Sequence, residues 1–204
     1  MRPRALVGYL FRFTSPRYRD FVETARQSKH FPQRFNTAGL GAVYLSRDPD
    51  TAAAEALRRY ARDARLAGDG NRSDQFDRLA PRSIFVVRVQ LRGILALTAQ
   101  AAFDAWGLTT ASLVDEEFAR CQEVATLAAQ RGAEGVRWSS ATGAGESVAI
   151  FWDNLQAASH VTIEKEFSVD RRWFDGIADG RPVSDFLPAL REFPLYSLDA
   201  GSDA

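Results

Sequence analysis

The chain has 204 residues, 46% of them hydrophobic and 25% charged, the balance of an ordinary globular protein with one substantial core. Its 26 basic and 26 acidic residues cancel, so no general grip on nucleic-acid phosphates is expected. Cys121 is the single cysteine and His30 and His160 are the only histidines, which excludes an internal disulfide, a cysteine-rich metal site and any zinc-ligand spacing.

Ala5 to Phe13 reads as a first strand, followed by a polar stretch containing Pro16 and Pro32. Gly41 to Ser46 is a short strand whose alternation places Val43 and Leu45 on one face and Ala42, Tyr44 and Ser46 on the other. Asp48 or Asp50 then caps a helix to about Ala67, with an apolar stripe through Ala53, Leu57, Tyr60 and Ala64. Gly68 to Ala80 is a polar loop. Ser83 to Leu91 is a second strand, with Phe85, Val87, Val89 and Leu91 on one face.

Asp115 to Arg131 reads as a helix with its stripe through Phe118, Val124, Leu127 and Ala128. Val136 to Trp138 and Val148 to Trp152 are short strands across a Gly-rich connection, and Val161 to Val169 alternates as an edge strand. Residues 1–169 form the body, and 170–204 an extension packed on it or trailing from it, with a turn at Asp179-Gly180 and a short helix from Ser184. The whole is α+β, with more strands than helices and no βαβ rhythm. The N-terminus lacks the apolar run of a signal peptide and no stretch approaches a membrane span, so a soluble cytoplasmic protein is expected.

Three candidate motifs have simpler readings. Gly143-Ala144-Gly145 lies between two strands, where a hairpin loop fits better than a dinucleotide fingerprint, which must open a helix. Cys121 sits in the middle of an amphipathic helix, as a buried inert thiol does, and His160 begins an edge strand. Arg58, Arg59, Arg62 and Arg65 form the solvated face of their helix.

What remains is a set of polar residues on otherwise apolar elements. Arg12 interrupts Leu10-Phe11-Arg12-Phe13, and Arg34-Phe35-Asn36 precedes a glycine-bounded strand. Tyr44 lies on that strand, Glu55 on the helix after it, and Ser139-Ser140 closes the Val136-Arg137-Trp138 strand. In this order the residues resemble the RES domain family, named for its arginine, glutamate and serine. The family's early aromatic-Arg pair is matched by Phe11-Arg12. Its Gly-Gly-Arg-Trp-Asn motif reads Gln33-Arg34-Phe35-Asn36, the Tyr-Leu strand reads Val43-Tyr44-Leu45, and the glutamate helix reads Ala53-Ala54-Glu55. Its Tyr-Pro-Ser appears as Trp138-Ser139-Ser140, leaving open which serine is the counterpart, and a later polar residue falls at Ser147. The departures are Pro32-Gln33 in place of paired glycines and Ser139 in place of proline.

The resemblance implies an ADP-ribosyltransferase-like fold with mixed and antiparallel sheets and flanking helices. It also implies a toxin-type enzyme that cleaves the nicotinamide–ribose bond of NAD, as a glycohydrolase or phosphorylase. A mono-ADP-ribosyltransferase acting on a protein would use the same pocket, and a RES-like binding module without catalysis is the reading from another class. NAD is then the substrate, with no further cofactor and no metal. The implied partner is an antitoxin carrying a helix-turn-helix DNA-binding domain, with no direct contact of this chain to nucleic acid or membrane.

By the same resemblance Glu55 stabilises the oxocarbenium-like ribose. Arg12 and Arg34 clamp the pyrophosphate. Tyr44 stacks on nicotinamide or meets the ribose, and Ser140 orients ribose or phosphate. Helical periodicity by itself gives Glu55 a different place, pointing away from the Ala53–Leu57–Tyr60 stripe toward an ion pair with Arg59 at i+4.

Overall fold

Strands that alternate apolar side chains must cover at least one face, and here several cover both. The computed structural model describes residues 3–66, 82–98, 100–109, 111–112, 118–140 and 145–193. The described strands are β1 (Arg4–Thr14), β2 (Ala42–Ser46), β3 (Arg82–Leu97), β4 (Gly135–Ser139), β5 (Glu146–Phe151) and β6 (His160–Val169). The described α-helices are α1 (Phe21–Ser28), α2 (Pro49–Leu66), α3 (Gln100–Trp106), α4 (Ala119–Gln130) and α5 (Arg171–Ala178). None of the described helices is long and apolar enough to cross a membrane.

The strands form one six-stranded sheet of order β1-β2-β5-β4-β3-β6, in which β1 also pairs with β3. These pairings close β1, β2, β5, β4 and β3 into a ring and leave β6 as an edge strand along β3. The ladder of β3 with β4 is parallel, and the other described ladders are antiparallel. The α+β class therefore holds, with mixed strand orientation. The parallel pair corrects the expectation of no βαβ rhythm, because β3 leads through α3 and α4 into β4. The crossover is hard to read because α3 is only seven residues long, with just Ala102, Phe103 and Trp106 of its described side chains turned to the core.

Inside the ring lie Leu6 and Leu10 of β1, Val43 and Leu45 of β2, Phe85, Val87, Val89 and Leu91 of β3, and Val148 and Ile150 of β5. Phe21 and Ala25 of α1 join this cluster. Each of these Leu, Val, Ile and Phe side chains, buried, stabilises the fold by about 1.5–3 kcal/mol. Outside the ring, α4 covers the β2-β5-β4 side through Cys121, Val124, Ala125 and Ala128. On the β1-β3 side, Ala52 and Ala53 of α2 pack with Phe11, Phe13, Ile84 and Val86. Ile177, Val183, Leu187 and Leu190 from the segment after Asp170 bury themselves in the same layer.

Several elements differ from their sequence reading. The polar stretch after β1 contains α1, where Asp20 caps by accepting from the Glu23 amide at 3.0 Å. Its buried face, Phe21, Thr24, Ala25 and Ser28, follows helical spacing but is half polar, which hides the stripe. For α2 the cap is Asp48, which accepts from the Thr51 amide at 2.7 Å, while Asp50 accepts from the Val183 amide at 2.6 Å. The Tyr60 and Ala64 side chains, and the loop expected over Gly68–Ala80, lie outside the described residues.

Strand β3 does not stop at Leu91 but runs on through Arg92-Gly93 to Leu97, because its last part gains a second partner in β4. In α4 the buried face is Cys121, Val124, Ala125 and Ala128, and Leu127 is only half-buried, so the expected stripe is displaced by about one residue. The turn at Asp179-Gly180 is present, and the short helix expected from Ser184 is a 3-10 turn over Val183–Asp185. His160 is exposed at the start of the edge strand.

One glycine permits a close approach to the start of α2. Gly145 closes the β4–β5 connection, where its carbonyl accepts from the Ser140 amide at 2.7 Å. A Cβ built there would stand 2.5 Å from Thr51 Oγ1 and 2.6 Å from Asp48 Oδ2. The missing side chain is what lets this turn press against the capped end of α2.

Candidate functional site

The site lies on the outer face of β2, β5 and β4, where three surrounding elements converge. Pairing of Ser46 with Ser147, and of Ser147 with Trp138, puts these three side chains on one face together with Tyr44. The first turns of α2 stand over the end of this face, and the Arg34–Asn36 turn and α4 border it.

Glu55 is half-buried, and its Oε1 accepts a hydrogen bond from Ser140 Oγ at 2.5 Å. The contact joins the second turn of α2 to the end of β4, two segments 85 residues apart. Glu55 is therefore not on a solvent face, as periodicity would place it. The start of α2 is buried over a wide arc, Thr51 through Ala53, because it packs against β1 and also reaches β2 and β5. Of the two serines, Ser140 is buried and points to Glu55, whereas Ser139 is exposed.

Arg34 reaches the same region from the other side. Its Nη1 donates to the Ser112 carbonyl at 2.8 Å, and its guanidinium carbon lies 4.6 Å from the centre of the Phe118 ring. Burial holds its pKa below the ordinary arginine value. Cys121 and Glu55 oppose that shift while Arg58 adds to it, which places all three within electrostatic reach of the guanidinium. Arg58 is thus half-buried beside the site and not on a wholly solvated face, and the side chains of Arg59, Arg62 and Arg65 lie outside the described residues.

The backbone of Arg34 is held by a network that the sequence does not advertise. Asn36 is fully buried, and its Nδ2 donates to the Ser28 carbonyl at 2.9 Å. Its Oδ1 accepts from the Tyr44 hydroxyl at 2.9 Å and from the Gln33 amide at 3.2 Å. The Tyr44 oxygen in turn accepts from the Phe35 amide at 2.9 Å. Tyr44 therefore ties the turn to β2 through its hydroxyl while its ring meets Trp138 edge-on at 6.0 Å. Tyr44→Phe removes both bonds and is expected to lower the unfolding free energy by about 1–3 kcal/mol. Denaturant titration measures this, and a change below a few tenths would show that the turn holds itself.

The structure does not bring Arg12 to this cluster. Leu10 faces the ring interior, and Phe11 and Phe13 face α2, so strand alternation turns Arg12 away from α2. Its guanidinium carbon lies 5.7 Å from the centre of the Phe21 ring on α1. Order along the chain cannot distinguish the two faces of a strand, whereas counting from Leu10 would have done so.

Cys121 is fully buried, as expected, but it is not isolated. Its Sγ donates to the Ser112 carbonyl at 3.1 Å. Burial pushes its pKa up, and the neighbouring Arg34 charge opposes this in part. Ser112 has no place in the sequence reading, Phe118 enters it only as part of a helix stripe, and Asn36 and Trp138 only as motif members without a role of their own. Ser147, on the same face, is buried, and its hydroxyl has no hydrogen-bond partner among the described residues.

Comparison with known proteins bears on most of the chain. A family model described as RES domain matches residues 9–173. No curated protein matches. Among solved structures, the chain is similar to one in the crystal structure of the M. tuberculosis MbcT-MbcA toxin-antitoxin complex, with a TM-score of 0.67 over 86% of this chain and 93% of that one. At 16% identity, that likeness is one of fold.

Proposed function

This chain belongs to the RES domain family, and from that membership we propose that it is a toxin-type enzyme that consumes NAD by breaking the nicotinamide–ribose bond. The observation that carries the reading is the Ser140 Oγ to Glu55 Oε1 bond at 2.5 Å, within electrostatic reach of Arg34. It joins the glutamate and a serine of the family's ordered pattern beside one of that pattern's two arginines.

In the proposed reaction the bond from the anomeric carbon to the pyridinium nitrogen breaks, and its electron pair leaves with neutral nicotinamide. Positive charge then spreads over the ribose carbon and ring oxygen. Glu55 stabilises this charge, an electrostatic contribution strongest in a site that excludes water. Ser140 fixes the carboxylate, so that little reorganisation is needed as charge develops. The acceptor's oxygen lone pair forms the new bond to the anomeric carbon; water as acceptor releases one proton to solvent, whereas phosphate dianion adds through an ionised oxygen and releases none.

Arg34 binds the pyrophosphate, a task suited to a planar guanidinium. Tyr44 holds the turn that carries Arg34 and presents its ring edge beside Trp138. Arg12 has no part in this scheme. The fold is ADP-ribosyltransferase-like in this proposal, and NAD is a substrate with no resident cofactor. An antitoxin with a helix-turn-helix DNA-binding domain is the proposed partner, in keeping with the complex named for the structural neighbour. It would act by covering the cleft between α2 and the Arg34 turn.

Expression in cells is expected to halt growth while cellular NAD falls. With NAD labelled in the ADP-ribose part, label in free ADP-ribose identifies water as acceptor, and label in its 1″-phosphate identifies phosphate. Label on protein would replace this reading with a mono-ADP-ribosyltransferase, and growth arrest at constant NAD would overturn it.

A further inference from the structure

The Ser112 carbonyl accepts from two side chains on two different elements: Arg34 Nη1 at 2.8 Å and Cys121 Sγ at 3.1 Å. A carbonyl oxygen has two lone pairs, and both donors approach it in a part-buried setting. The residue that carries this carbonyl is itself braced. The Ser112 amide donates to Thr109 Oγ1 at 3.2 Å, the Thr109 amide donates to Ser112 Oγ at 3.2 Å, and the two hydroxyl oxygens lie 3.1 Å apart. Such reciprocal bonds fix a short segment by its own side chains. Phe118 then lies under the guanidinium, 4.6 Å from ring centre to carbon.

We propose that Cys121, together with the Thr109–Ser112 brace, positions Arg34 by holding the Ser112 carbonyl where the guanidinium must bond to it. Cys121 is a positioning residue here and does not touch substrate. A side chain of three methylenes left to choose its rotamers would spread its guanidinium over many places, and the fixed carbonyl selects one of them. The thiol contributes a second donor and fills the space beside the bond, so the carbonyl cannot turn toward another partner. This rests on the proposed role of Arg34 in binding pyrophosphate.

The distinguishing kinetic signature is uniform binding. Arg34 grips a part of NAD that does not react, so loosening it weakens ground state and transition state alike. Cys121→Ala is expected to raise KM for NAD about 5- to 10-fold with kcat changed less than about 2-fold, an effect of the size of one lost buried hydrogen bond. Cys121→Ser, which restores a donor, is expected to return KM to within about 2-fold of the parent. Thr109→Val, at an exposed position, is expected to raise KM in the same direction, so the test survives if the buried substitution fails to fold. In an Arg34→Ala background Cys121→Ala should change KM no further, because the coupling has been removed.

Arginine side-chain nitrogen resonances supply a readout that needs no activity. Arg34 should show restricted guanidinium rotation in the parent and in Cys121→Ser, and fast averaging in Cys121→Ala and Thr109→Val. Unchanged rotation and unchanged KM in those two loosened variants would overturn the proposal, as would effects that add to Arg34→Ala. A parent protein that does not cleave NAD would sink the proposed function alone, with the resonances still deciding whether Cys121 positions Arg34.

Discussion

Glu55→Gln is expected to reduce NAD turnover by about 100- to 10,000-fold while leaving the fold and the affinity for NAD nearly unchanged. Glutamine occupies the same space and can still accept from Ser140 Oγ, which lies 2.5 Å from Glu55 Oε1. What it removes is the negative charge, and that charge does its work only when the ribose becomes cationic. The loss should therefore appear in kcat and not in KM. Stopped assays of nicotinamide release, with calorimetry for binding, separate the two. A variant that retained a tenth or more of parental kcat would show that Glu55 is a structural anchor for β4 and not the catalytic carboxylate.

Glu134→Ala is expected to be the most damaging single change to stability, lowering the unfolding free energy by about 3–5 kcal/mol. Glu134 is fully buried and its carboxylate accepts three backbone amides: Arg92 at 2.5 Å, Gly93 at 2.8 Å and Gln156 at 2.9 Å. Its own backbone is used as well, with its amide donating to the Gly93 carbonyl and its carbonyl accepting from the Phe151 amide, both at 2.7 Å. Alanine leaves the three amides without their acceptor, and buried donors left unmade cost more than the bonds were worth. Glu134→Gln keeps one acceptor oxygen and should cost less. For a chain of 204 residues the alanine variant corresponds to a fall in midpoint of roughly 6–20 °C. A shift below about 3 °C in a thermal melt would mean that water replaces the carboxylate at little cost.

These two glutamates show how differently the sequence discloses its parts. Glu55 sits in a capped helix after a glycine-bounded strand, so its element and its approximate place could be read from local pattern. Its orientation could not, because the start of α2 meets three strands, β1, β2 and β5, and its buried arc is wider than contact with one strand would make it. The ordered resemblance supplied what periodicity lacked, and the bond to Ser140 is a contact across 85 residues that no local rule encodes.

Glu134 left no trace in the sequence reading. It lies in a turn between α4 and β4, where a charged residue looks solvated, and its partners come from two remote segments. The long course of β3 was hidden for the same reason, since Arg92-Gly93 resembles a strand end until the Glu134 carboxylate holds it extended. Arg12 is the opposite case. Its polar character in an apolar strand is plain in the sequence, but strand alternation places it with Phe21 on the face away from α2.

The paired glycines expected before Arg34 are Pro32-Gln33 here, and the turn survives without them. The Gln33 amide bonds to Asn36 through both the side-chain oxygen and the backbone carbonyl, each at 3.2 Å, and Tyr44 anchors the turn from β2. Side-chain bonds thus do the work that backbone freedom was expected to do.

The most direct measurement is incubation of the purified protein with NAD, following free nicotinamide over time. The account predicts steady release of nicotinamide that is lost in Glu55→Gln and weakened through KM in Arg34→Ala. No release of nicotinamide from NAD, together with no heat of NAD binding in a folded protein, would contradict it.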